Sequence, residues 1–172
     1  MRTTTQPVTL TLTPSDYASA LQLHARRYFI ANTGPKIFTF LIVLVALAMM
    51  IMTGFDEGFT SAAIGGLIGL AAMPPLIYFI ALPYRAKKVF AQQKTLHAPI
   101  AASWSEDGFT ANTSSMGGTI AWNQYFGWSE DQAVFLIMQS QQLFQMLPKR
   151  AMTNQQIEDL RAHLVRSGLK KI

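Results

Sequence analysis

The chain has 172 residues, 50% of them hydrophobic and 13% charged, about half the charged share of an ordinary soluble domain. It contains no cysteine, which excludes disulfide scaffolds, thiol nucleophiles, iron–sulfur clusters and thiolate zinc sites. Its 14 lysines and arginines against 9 acids give a net charge of +5, and the length fits one domain with a sizeable core.

Near the amino end, Val8-Thr9-Leu10-Thr11-Leu12 alternates apolar and polar residues, several β-branched, and reads as a half-buried strand. Thr13-Pro14-Ser15-Asp16 then opens a helix. Threonine serves as N-cap, proline takes the first helical position, and the acid at the third faces the positive end of the helix dipole. Tyr17, Leu21, His24 and Tyr28 recur at helical spacing along one face, Arg26 and Arg27 lie near the carboxyl end, and Asn32-Thr33-Gly34-Pro35 breaks the helix.

Residues 37–55 are a run of 19 without a charge, long enough at about 1.5 Å per residue to reach across most of the ~30 Å hydrocarbon core of a bilayer. A second charge-free run covers the 27 residues 58–84, with a kink expected at Pro74-Pro75. With spans at about 37–55 and 59–82, joined by Gly54-Phe55-Asp56-Glu57-Gly58, the pair reads as a transmembrane hairpin. A small soluble domain has too little surface to cover two such helices on every face. Ala46-Leu47-Ala48 has the form of a signal-peptide cleavage site, but 36 residues precede the apolar run and apolar sequence continues beyond it.

Arg26, Arg27 and Lys36 precede the first span, Arg85, Lys87, Lys88 and Lys94 follow the second, and the loop between carries only Asp56 and Glu57. The positive-inside rule therefore places both chain ends in the cytoplasm. These seven are half of the 14 basic residues, so topology explains most of the basic pI and nucleic-acid binding is not needed to explain it. Ser61, Gly65 and Gly69 form a ridge of small residues at four-residue spacing, expected to pack against the first span of the same chain, with a dimer as the alternative. Neither span contains an ionisable side chain apart from tyrosine, which disfavours a proton relay or coupled transport.

Residues 84–96 read as a basic helix lying on or leaving the bilayer surface. From Ala98 the period becomes that of strands. Strands are predicted at 100–104, at 109–112 after the turn Asp107-Gly108, at 119–122 after Gly117-Gly118, and at 134–138 and 143–147 around Gln139-Ser140-Gln141-Gln142. Thr153-Asn154-Gln155-Gln156 is a capping box for a final helix carrying Ile157, Leu160, Leu164 and Val165 on one face. The expected fold class is thus an α+β membrane protein. A two-helix transmembrane hairpin adjoins a small antiparallel β module of about six strands, counting the amino-terminal one, closed by a C-terminal helix. The chain divides into residues 1–33, the hairpin 34–83, and residues 84–172.

Leu12-Thr13 with Asp16-Tyr17, Asp107-Gly108 followed by Ile120-Ala121-Trp122, and Phe135-Leu136 leading to Leu147-Pro148-Lys149-Arg150-Ala151 carry a family likeness. On these, and on the order of its elements, the chain resembles the bacterial YcxB-like membrane protein family over most of its length. The resemblance implies a multi-pass protein of the bacterial inner membrane whose carboxyl-terminal domain is similar to pleckstrin-homology-like folds. It brings no activity with it. A pleckstrin-homology barrel has seven strands, one more than this sequence supplies.

The remaining motifs read more plainly. His24, His97 and His163 fall on separate elements without metal-ligand spacing, and the acids lie mostly as adjacent pairs in turns or on a helix surface. Trp104, Trp122 and Trp128 read as core, and Gly117-Gly118 lacks the strand–loop–helix context of a phosphate loop. Lys149 and Arg150 sit beside the positive end of the last helix dipole, where basic side chains gain nothing. They are expected to face anionic lipid or an acidic partner, with an ion pair to Glu130 or Asp131 as the plain alternative. No cofactor, metal or catalytic residue is expected. The function expected is a non-catalytic cytoplasmic module that binds a protein partner or the lipid surface. Its partners would be the bilayer and either a second copy or another membrane protein. An accessory subunit of a larger membrane complex or transporter is the alternative, and an enzyme the weakest reading.

Overall fold

The computed structural model describes residues 7–31, 33–52, 54, 56–114 and 116–172. Asn32 in the predicted helix break and residues 53 and 55 at the predicted end of the first span lie outside these.

The alternating amino-terminal segment forms strand β1, Val8–Leu10, whose two valine and leucine side chains are buried while Thr9 faces out. Helix α1, Pro14–Ala31, follows, and its first turn is tied by a reciprocal box. The Asp16 N–H donates to Thr13 Oγ1 at 3.2 Å, and the Thr13 N–H donates to Asp16 Oδ2 at 2.7 Å. Two apolar helices come next, α2, Gly34–Met52, and α3, Glu57–Leu76. Asp56 starts the second by accepting from the Gly58 N–H at 3.0 Å.

Pro74 and Pro75 lie inside α3 without ending it, although each removes a backbone donor. The helix instead passes through a π-helical turn, Ile77–Ala81, into α4, Leu82–Gln92. Pro83 accounts for what happens to the carbonyls there. The Leu82 N–H donates to Ile77 O, and Pro83 has no N–H to offer the next carbonyl, that of Tyr78. Gln22 of α1 fills the gap, its Nε2 donating to Tyr78 O at 3.0 Å. Among the described residues one helix is long and apolar enough to cross a membrane, the 33 residues Thr60–Gln92, and none of its most apolar window is buried. The apolar helix Lys36–Met52 is shorter.

Beyond α4 the chain builds two antiparallel sheets. In the first, β1, β2 (Ile100–Trp104), β3 (Gly108–Asn112) and β4 (Gly117–Ala121) lie in that order, with Val8 opposite Ala102. In the second, β5 (Gly127–Glu130), β6 (Val134–Met138) and β7 (Phe144–Pro148) form a meander. Among the described residues the strands number seven, and β5 is the one the sequence reading missed. Helix α5, Asn154–Arg166, carries the predicted capping box, Thr153 with Gln156, and Gly168 at φ 73° turns the chain out of it.

The two sheets and α5 enclose one core, which includes Trp104, Phe109, Trp122, Trp128, Phe135, Ile137, Leu147, Leu160 and Leu164. Strand β6 is buried on both faces because a second layer lies outside it. Phe135 and Ile137 belong to the main core, while Val134, Leu136 and Met138 pack with Ala20 and Leu23 of α1. Helix α1 also packs along α4, where Ala86 is fully buried, so it lies between the β module and the continuation of the long apolar helix. The last residues run beside β5: the Trp128 N–H donates to Lys170 O and the Ile172 N–H to Trp128 O, each at 2.9 Å.

Candidate functional site

The charged side chains fall into two groups, those joined inside the molecule and those left on its surface. Glu130, at the end of β5, is the centre of the first. Its carboxylate accepts from Arg161 Nε and Nη2 at 2.8 Å each, from Lys149 Nζ at 2.7 Å and from Lys171 Nζ at 3.1 Å. Four separate segments thus meet on one acid: β5, the turn after β7, α5 and the C-terminal tail. The cations also lie against core rings, with Lys149 4.4 Å from the Phe135 centroid and Lys171 4.7 Å from that of Trp128. The bidentate bonds from Arg161, reinforced by those from Lys149 and Lys171, outweigh burial and hold the Glu130 carboxyl at a pKa of about 2.

Asp16 is the second such acid. Arg150 donates to it through Nε at 2.8 Å and Nη2 at 2.6 Å, and also to Thr11 O at 2.9 Å. Burial works against the charge, but the bonds from Arg150 and Thr13 prevail and hold the Asp16 carboxyl below its ordinary value. The pair clamps the turn Lys149–Ala151 to the amino end of α1.

Lys149 and Arg150 therefore both have an acid of this same chain as partner. For Lys149 it is the Glu130 that the plain reading named, with the lysine side chain only 13% exposed. Arg150 remains half exposed around its bond to Asp16. That pairing joins residues 134 apart, and no spacing rule reaches so far. Arg161 and Lys171 were likewise unmarked in the sequence, since each is an ordinary surface cation until the fold brings Glu130 to it.

The flanking cations are arranged differently. Arg26 and Arg27 lie near the end of α1, Lys36 near the start of α2, Arg85, Lys87 and Lys88 on α4, and Lys94 just after it. Arg26, Arg85, Lys87, Lys88 and Lys94 are exposed, and they have no ion pair or hydrogen bond among the described residues. The close packing of α1 on α4 brings the two ends of this set onto one helical layer. Lys36 is exposed and engaged in an interaction of its own.

The small-residue ridge lies open. A Cβ placed at Gly65 or Gly69 would meet no atom within 4 Å, so α2 does not fill the space beside these residues. The Ser61 hydroxyl donates to Glu57 O of its own helix at 2.8 Å. The tryptophans are buried as read, their ring N–H groups donating to Asp159 Oδ2, Ser105 O and Leu169 O. The histidines remain apart, on α1, before β2 and on α5, and burial holds the His24 pKa below its ordinary value.

Residues 104–164 match the family model described as YcxB-like protein. The match runs from the last residue of β2 through β7 and across most of α5, so it leaves out β1, nearly all of β2 and the apolar helices. Neither the curated proteins nor the solved structures gave a match.

Proposed function

We propose that this chain, YcxB-like across its β module, is an inner-membrane protein whose hairpin of α2 and α3 crosses the bilayer twice. Both chain ends lie in the cytoplasm, where the module acts as a non-catalytic, pleckstrin-homology-like adaptor on the anionic lipid surface. The observation that carries this reading is the split in surface character. Apolar side chains stand exposed around α2 and α3, among them Phe38, Phe40, Val45, Ile64 and Ile68, while Arg26, Arg85, Lys87, Lys88 and Lys94, without a partner among the described residues, gather where these helices meet the module. In water such a surface is far larger than the apolar patches soluble monomers tolerate, and in a bilayer it is the ordinary one. The seven strands in two antiparallel sheets, followed by a closing helix, support the pleckstrin-homology likeness. Helix α2, at 19 residues, reaches roughly 28 Å, close to the hydrocarbon thickness.

Reporter fusions test the topology. A cytoplasm-active reporter joined after Ile172 is expected to be active and the same reporter inserted at Asp56 inactive, and the reverse pattern rejects the cytoplasmic assignment. A second reading, an accessory subunit of a membrane complex, draws support from the open ridge at Gly65 and Gly69, which leaves room for another helix. Purification in mild detergent separates the two: a stoichiometric membrane-protein partner favours the subunit, and its absence favours the autonomous module.

A further inference from the structure

Two hollows meet at one arginine. The first, of about 420 Å³, lies between the end of α1 and the proline-bearing stretch of the long helix, and is lined by Ala25, Phe29, Pro75, Tyr78 and Leu82 among others. Its lining is mostly apolar, with Arg26 as its one charged side chain. The second is polar and is bordered by Glu130, Asp131, Lys149 and Arg161, and again by Arg26. Lys149 and Arg161 are held by Glu130, whereas Arg26 is exposed and has no partner among the described residues. An apolar slot and a polar cleft that share one cation in their linings have the form that an anionic amphiphile requires.

We infer that this hollow binds one anionic phospholipid, with acyl chain against Phe29, Pro75 and Leu82 and phosphate on Arg26. The site is built rather than incidental. The π-helical turn and Pro83 free the Tyr78 carbonyl, and the Gln22 bond to it holds α1 beside the apolar wall. Phe29, Ile77 and Phe79 of that wall stay exposed at 45, 41 and 69%, apolar surface that the lipid tail covers. The polar cleft beyond carries three cations against two acids, so it favours a negative headgroup over a neutral one. The inference rests on the membrane reading above and adds to it a stoichiometric lipid held at a defined residue.

The test uses the full chain in non-ionic detergent, titrated with phosphatidylglycerol or phosphatidylcholine of identical acyl chains, with retained lipid counted by native mass spectrometry. The wild type is expected to retain one phosphatidylglycerol about fivefold better than phosphatidylcholine, the effect of one favourable charge near a headgroup. Arg26→Gln is expected to abolish that preference, while Arg27→Gln, which removes the same charge one residue away, keeps it. Ala25→Trp, placed to fill the slot, is expected to weaken both lipids, with circular dichroism showing unchanged helix content. Excess inorganic phosphate is expected to leave the lipid bound. Equal losses from Arg26→Gln and Arg27→Gln would show a diffuse charge effect and overturn the site, as would displacement by phosphate alone. Extraction of cell membranes with alkaline carbonate separates the two levels. A chain that washes off overturns the membrane reading and this inference together. A chain that stays embedded but lacks the Arg26-dependent preference overturns the inference alone.

Discussion

At the scale of single residues, Glu130 decides more than any other charged group. Its folded pKa of about 2 lies below the unfolded value of 4.5, so the stability it supplies is fully present above pH 4.5 and is lost as pH falls toward 2. The shift corresponds to roughly 3 kcal/mol. Asp16, also held low, contributes with the same sign in the acid range. Glu130→Gln is expected to lower stability at pH 7 by about 3 kcal/mol, because three cations lose their common acid while all three remain pressed against core rings. Between pH 4.5 and 2 the variant should lose less further stability than the wild type. Denaturant unfolding followed by tryptophan fluorescence measures this in the module alone, since Trp104, Trp122 and Trp128 all lie there. A variant with the same acid profile as the wild type would show that the cluster does not stabilise the fold.

At the scale of elements, the junction between α1 and the long helix makes a sharper test. The Tyr78 carbonyl needs Gln22 because Pro83 brings no N–H, so the two residues should be coupled although they lie on different helices. Gln22→Ala is expected to cost about 1 kcal/mol in the wild type and nearly nothing in a Pro83→Ala background, where the backbone supplies its own donor. Hydrogen exchange of the α1 amides reads the difference. Equal costs in both backgrounds would mean that Tyr78 O finds water instead. This junction was illegible in the sequence, which marked Pro74-Pro75 as the kink and passed over Pro83. A proline announces a missing donor, but which distant side chain answers the freed carbonyl depends on tertiary placement. Local codes were read more fully. The Thr13 and Thr153 caps, the strand at 134–138 and the final helix follow from spacing alone. Strand β5 escaped because Gly127-Trp128-Ser129-Glu130 carries no alternation. Its glycine and serine are buried by the C-terminal tail and the neighbouring strand rather than by their own hydrophobicity. The same limit governs the charges, since the seven cations flanking the apolar helices stand out as local clusters, whereas Arg150 with Asp16 and Arg161 with Glu130 exist only once the chain is folded.

At the scale of the whole molecule, β1 joins the beginning of the chain to a module built almost entirely from its second half. Val8, Leu10 and Leu12 are each only 4% exposed, so removing residues 7–12 strips the core of three side chains and leaves the edge of β2 open. At about 1.5–3 kcal/mol for each buried side chain, the loss is comparable to the whole stability of a domain. The truncated chain is expected to expose its tryptophans and to aggregate in detergent, which size-exclusion chromatography and fluorescence would record. A monodisperse product with native emission would show that β1 is dispensable.

The same strand sets a clock on biosynthesis. Val8 pairs with Ala102, roughly ninety residues later, and both apolar helices are made in between. At ~5–20 residues per second, β1 leaves the ribosome roughly 5 to 20 s before its partner strand exists. Three residues of unpaired strand are a small hazard during that wait, whereas a longer segment would invite pairing with other nascent chains. When β2 at last emerges, α2 and α3 have already been handed to whatever receives them. The closing of the first sheet therefore certifies that the helices before it are complete, and a ribosome stalled between Gln92 and Ile100 would leave a chain with its helices made and its module still open.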